Sequence, residues 1–245
     1  MAILRVLSAT ALAISVVHAS QQAPAIPRSV DTYARLLEAL MGAAPRKPTV
    51  ENVLGTGRLA AETLAGESGV LEDLTDDDYQ AVVRKMIGFN VSKDPIVYVE
   101  PDPDAFIKLA QDYGKAHDVA FFQRYKQTIP DGVWHVYIQP MTDESGCVRF
   151  GSLALVESYA RWTAFRQQFP KQYLREVEQL LVDLDDTLVE ETCACGNAED
   201  VAKELSAFVK ELPDAEITVR VRERLEKVRQ GKSDITFRCT AGTEP

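Results

Sequence analysis

Four cysteines, Cys147, Cys193, Cys195 and Cys239, are the residues whose type and spacing bear most directly on chemistry. They could hold a metal, supply a nucleophile or form disulfides. Their spacing lacks the paired C-x-x-C knuckles of structural zinc, which disfavours a metal site. A bridge within Cys193-Ala194-Cys195 would be strained, so each of that pair is expected to reach outward, one to Cys147 and one to Cys239. Ser152, in Phe150-Gly151-Ser152-Leu153-Ala154, stands where a nucleophile elbow would hold a serine. The second glycine of G-x-S-x-G is missing, and helix capping is the expected role. Cys147 with His135 could form a thiol and base, but an oxidising compartment favours the disulfide. Of three histidines only His117 and His135 lie outside the first nineteen residues, too few for a multi-histidine metal centre. Carboxylate pairs such as Glu100 with Asp143 or Glu144 would suit glycoside hydrolysis, though 37 acidic residues make some such pair inevitable. The sequence therefore assigns no catalytic, cofactor-binding or metal-binding residue.

The run Leu181-Val182-Asp183-Leu184-Asp185-Asp186-Thr187-Leu188 resembles the nucleophile motif of haloacid-dehalogenase-type phosphatases. The resemblance implies Asp183 as the residue that attacks phosphate and Asp185 as the handler of the leaving-group proton. It covers about ten residues of the chain, and it implies a strand of a doubly wound sheet. The apolar spacing from Tyr173 to Leu188 instead predicts a helix. On a helix the two aspartates point about 200° apart and share no site.

Other charged runs have simpler readings. Thr75-Asp76-Asp77-Asp78 predicts an N-cap and an acidic first turn, since calcium loops alternate their ligands and need a glycine turn. The basic stretch Arg220, Arg222, Arg224, Lys227, Arg229 and Lys232, interleaved with Glu223 and Glu226, predicts a solvated helix face.

These groups must be positioned mainly by helices. Apolar spacing predicts helices over about 30–42, 51–65, 76–88, 103–113, 118–128, 152–169, 171–191, 197–212 and 214–230. Asp102 with Pro103, and Asn197, supply helix starts. Strands are expected at 95–99, at 133–139 with an antiparallel return over 147–150, and at 235–239. In the second strand Trp134, Val136 and Ile138 are expected on one face, with His135, Tyr137 and Gln139 on the other. The expected fold class is mainly α (α+β): helical hairpins around one core with a small antiparallel sheet, braced by two disulfides.

The first nineteen residues combine a basic start at Arg5, an apolar run and Val17-His18-Ala19, the pattern of a signal peptide cleaved near Ala19. Residues 20–28 read as a disordered lead-in and 29–245 as one compact domain, with a conceivable sub-boundary near 129–132. No other run approaches membrane-spanning length. The net charge of -10 opposes binding to nucleic acid. The sequence thus predicts an exported protein, periplasmic or extracellular, that binds a protein or cell-envelope component, with an inhibitory or toxin-neutralising role fitting. A secreted hydrolase with an unrecognised active site is the alternative.

Overall fold

The structure is a computed structural model, and it describes residues 25–43, 46–141, 145–190 and 192–237. The expected leader and residues 20–24 of the lead-in, together with Asp143, Glu144 and Cys239, lie outside the described residues. Nine helices carry the fold among the described residues, with two small sheets beside them.

The chain begins as a helical pair. α1 (Arg28–Met41) buries Val30, Tyr33, Leu37 and Leu40, a stripe with the three-and-four spacing of one helical face. α2 (Val50–Ala65) packs on it and starts from a capping box, in which Thr49 accepts from the Asn52 N–H and the Asn52 side chain accepts from the Thr49 N–H. Two glycines threaten this helix, but Gly57 has a packing reason. A Cβ there would stand 2.4 Å from the Phe89 ring.

α3 (Asp76–Lys85) is capped by Thr75, which accepts from the Asp78 N–H at 3.2 Å. It ends earlier than its apolar spacing predicts, because Gly88 turns with φ +93° and the chain becomes β1 (Phe89–Ser92). β1 pairs antiparallel with β2 (Tyr98–Pro101), Val91 opposite Val99. α4 (Pro103–Tyr113) follows, with the Asp102 carboxylate accepting from the N–H groups of Asp104 and Ala105. α5 (Ala116–Thr128) completes this half and packs on α4.

The alternation over 133–139 does not become a strand along its length. The Asp131 carboxylate accepts from the N–H groups of Val133 at 2.9 Å and Trp134 at 2.8 Å, which curls the segment into a turn. β3 is consequently short (Ile138–Pro140), and Tyr137 rather than Trp134 is the buried aromatic. β4 (Gly146–Arg149) returns antiparallel to it as expected.

α6 (Ala154–Gln168) and α7 (Leu174–Val189) form a helical hairpin. Then β5 (Ala194–Cys195) joins β4 in parallel, so the sheet is mixed rather than wholly antiparallel. α8 (Ala198–Glu211) starts from an Asn197–Asp200 capping box and packs on α9 (Thr218–Arg229). Of the terminal strand expected over 235–239, the described residues show one bridge, Thr236 beside Cys193.

The core is aromatic at its centre. Phe121 stacks on Tyr173 with ring centroids 3.9 Å apart and touches the rings of Phe122, Trp162 and Phe165. The buried cluster runs from Val30 to Ile235.

One disulfide, Cys147–Cys195, is present among the described residues, and none of their cysteines is free. The expectation of two bridges is met in part: one is found, and Cys239 lies outside the described residues. The basic stretch also needs correction. Arg224 is 3% exposed, not solvated. Its guanidinium donates to the Thr187 carbonyl at the end of α7 and to the Thr192 hydroxyl, and it pairs with Asp234 at 3.2 Å. It ties α9 to α7 and to the segment that follows α9, and burial pulls its pKa down against the pull of Asp234.

Candidate functional site

A cleft of about 630 Å³ opens between α2, α5 and α7. Each helix contributes residues three or four apart, so each presents one face. α2 supplies Leu54, Gly55, Arg58, Leu59 and Glu62. α7 supplies Arg175, Glu176, Gln179, Leu180 and Asp183. Phe121 and Tyr125 come from α5, Glu100 from β2, and Gly132, Val133 and His135 from the turn built on Asp131. The volume is that of a ligand pocket, and the lining mixes apolar side chains with converging charges.

The charges are arranged unevenly. Arg58 pairs with Glu100 and donates to the Tyr125 hydroxyl at 3.0 Å. Burial opposes the guanidinium charge, but Tyr125 and Glu100 outweigh it and hold Arg58 above its ordinary pKa. Burial also pushes Tyr125 up to about 12, so its phenol stays neutral. Glu62, Glu176 and Asp183 remain against Arg175 alone, a formal excess of two negative charges in the lining that α2 and α7 supply. Asp183 accepts from the Gln179 amide at 2.9 Å, which fixes its carboxylate within α7. His135 completes the lining. Burial pulls its pKa down, with Arg58 acting in the same sense and Asp183 against, so the imidazole is neutral near pH 7. Its Nε2 is buried without a partner, and its ring stacks on Tyr137.

Three residues that the sequence singled out thus meet here: Glu100, His135 and Asp183. The rest separate. Asp185 lies on the other side of α7, among Tyr159, Arg166, Glu216 and Arg220, as the helical angle requires. Cys147 is bonded to Cys195, so it makes no thiol and base with His135. His117 lies 3.6 Å from Asp118, outside the cleft. Among the described residues no three His, Cys, Asp or Glu side chains converge as a metal centre.

Ser152 is also bypassed. Its hydroxyl donates to the Arg149 carbonyl at 2.9 Å and accepts from the Ala154 N–H at 3.3 Å, while the helix boundary itself falls at Leu153. The N–H groups that would form an oxyanion hole there are occupied by a carboxylate. Glu204, 0% exposed, accepts from Leu153 at 2.7 Å, Leu155 at 3.1 Å and Val156 at 3.3 Å. The same device recurs at α7, where Glu51 accepts from the Tyr173 N–H at 2.7 Å. Leu153 and Tyr173 both have positive φ, 69° and 51°, and a distant glutamate holds each strained N–H.

Comparison with protein-family models, curated proteins and solved structures finds no match. The cleft must be read from its own chemistry.

Sequence reasoning missed Arg58, Glu62, Tyr125, Arg175, Glu176 and Gln179. A signal for part of the set was present: Glu176, Gln179 and Asp183 form a polar stripe at helical spacing, which reads as a solvated face until α2 is placed opposite.

Asp185 gives a pH prediction. Burial, with help from Glu216 and Asp186 and against Arg220 and Arg166, raises its pKa from 3.8 to about 6. Its Oδ1 is buried without a partner. The folded pKa is above the unfolded one, so the stability it contributes is complete below about pH 4 and is lost as pH rises through about 6. Asp185→Asn is expected to flatten that decline and to raise Tm above wild type near pH 7.5 in thermal unfolding at a series of pH values. A lower Tm for the variant at that pH would show that the Asp185 charge is favourably paired.

Proposed function

We propose that this is an exported binding protein whose cleft receives a basic side chain from a protein or cell-envelope partner. The observation that carries the reading is the acidic lining of Glu62, Glu176 and Asp183 above an apolar floor of Leu54, Phe121 and Leu180. An aliphatic stem can lie on that floor while its cationic head meets the carboxylates. Leu59 at 56% exposure stands in the same lining and offers apolar contact to the partner.

Export is part of the proposal. The Cys147–Cys195 disulfide suits an oxidising compartment. Among the described residues no helix is long and apolar enough to cross a membrane. A second bridge, Cys193 to Cys239, is proposed with it, and the pairing of Thr236 with Cys193, three residues short of Cys239, supports that partner.

The alternative hydrolase reading draws on the same cleft, where a neutral imidazole and carboxylates lie together. Among the described residues no serine, threonine or cysteine lines the cleft, and the groups that it offers to such an enzyme are carboxylates and the imidazole of His135. Affinity capture from the secreted and envelope fraction separates the two. Glu176→Lys with Asp183→Lys is expected to weaken capture of a stoichiometric partner about tenfold or more while leaving the far-UV spectrum unchanged. Hydrolytic turnover of wall polymers or peptides that Asp183→Asn abolishes, with no partner recovered, would replace binding by catalysis.

A further inference from the structure

Outside the cleft, the outer flank of α5 and the facing side of α6 enclose a groove of about 330 Å³ lined by Gln123, Arg124, Gln127, Arg161 and Ala164. Gln123 and Gln127 lie about 200° round α5 from Phe121 and Tyr125, which face the cleft. The groove therefore does not depend on what the cleft binds.

Its charge is anomalous in so acidic a chain. Acidic residues outnumber basic ones by 37 to 27, yet neither Arg124 nor Arg161 makes an ion pair among the described residues. Arg124 is held in place. Its guanidinium lies 5.4 Å from the centre of the Phe165 ring, and it donates to the Ala120 carbonyl at 3.0 Å and to the Gln168 side chain at 3.4 Å. Arg161 reaches only the Thr128 hydroxyl, at the 3.5 Å limit of a hydrogen bond, and that hydroxyl already accepts from Trp162 Nε1 at 3.1 Å. Most of the Arg161 N–H groups thus have no hydrogen-bond partner among the described residues, and the side chain lines the groove. Burial lowers the Arg161 pKa, Glu157 opposes that fall, and Arg124 adds to it by repulsion between like charges. Two half-buried guanidinium groups that repel one another are relieved by an anion between them, and the two glutamine amides add neutral donors at its edge.

We propose that the groove between Arg124 and Arg161 is a binding site for an oxyanion, the phosphate or carboxylate group of a polar ligand. The fork of a guanidinium suits either shape, so the two sources are separated by experiment.

The test is calorimetric titration of the full chain with inorganic phosphate and, separately, with succinate, at constant ionic strength. Saturable binding of one or the other is expected, and whichever binds names the class. Arg161→Gln should weaken it about tenfold or more, and Gln127→Glu, which places an exposed carboxylate at the groove edge, should do the same without touching the core. The absence of saturable binding by either anion would overturn the proposal. Binding that survives both substitutions unchanged would also overturn it, by placing the anion elsewhere.

Discussion

Glu204→Ala is expected to destabilise the native state by about 3–5 kcal/mol, a large share of the roughly 5–15 kcal/mol that holds a domain together. The cause is local. Both oxygens of the Glu204 carboxylate accept from the first turn of α6, and alanine would leave the N–H groups of Leu153, Leu155 and Val156 buried without acceptors. It would also remove a negative charge from the positive end of a fifteen-residue helix. Burial pushes the carboxyl of Glu204 upward, and the backbone N–H groups oppose that push. Glu204→Gln keeps one acceptor but turns an amide N–H toward a backbone N–H, so it should cost roughly 2 kcal/mol. Urea unfolding measures both. A loss under about 1 kcal/mol for the alanine variant would mean that water replaces the carboxylate, and the account of α6 would fail.

Removing the Cys147–Cys195 bridge is the second large effect. The bridge spans 48 residues and encloses α6 and α7. For a loop of that size the chain-entropy model gives about 4 kcal/mol, so Cys147→Ser with Cys195→Ser should lower the urea midpoint by the equivalent amount. The loss should be steepest around β3, β4 and β5, because β5 has only a two-residue strand to hold it. Non-reducing peptide mapping of the wild-type chain is expected to recover the Cys147–Cys195 link and a Cys193–Cys239 link. Equal urea midpoints for the wild type and the double variant would show that the sheet stands without the bridge.

The helices were legible because burial of one face imposes a period that survives in the sequence. Val177, Leu180, Leu181, Leu184 and Leu188 mark α7 directly, and the same period ruled out a shared site for Asp183 and Asp185. Short strands left a fainter trace: the expected 147–150 matches β4 and 95–99 only overlaps β2, while β1 was not expected at all. β1 has four residues that follow a helix without a break in polarity, and the bounds of its partner β2 are set by the pairing rather than by the apolar run before it. Two buried charges were illegible for a related reason. Glu204 and Arg224 sit in helices rich in charge, and only their distant acceptors and donors distinguish them from the solvated residues beside them. The cleft was half visible. Glu100, His135 and Asp183 were each considered for their chemistry, but their convergence depends on α2, α5 and α7 lying together, and no local spacing encodes that.

Site-specific photo-crosslinking from position 59, in the lining of the cleft, tests the central claim most directly. With a photoreactive side chain in place of Leu59, irradiation in the secreted and envelope fraction should yield one dominant adduct, mapped beside a lysine or arginine of the partner. The adduct should vanish when Glu176 and Asp183 are both changed to lysine. An adduct that persists at full yield in the charge-reversed protein would contradict the proposal that the acidic lining receives a basic side chain.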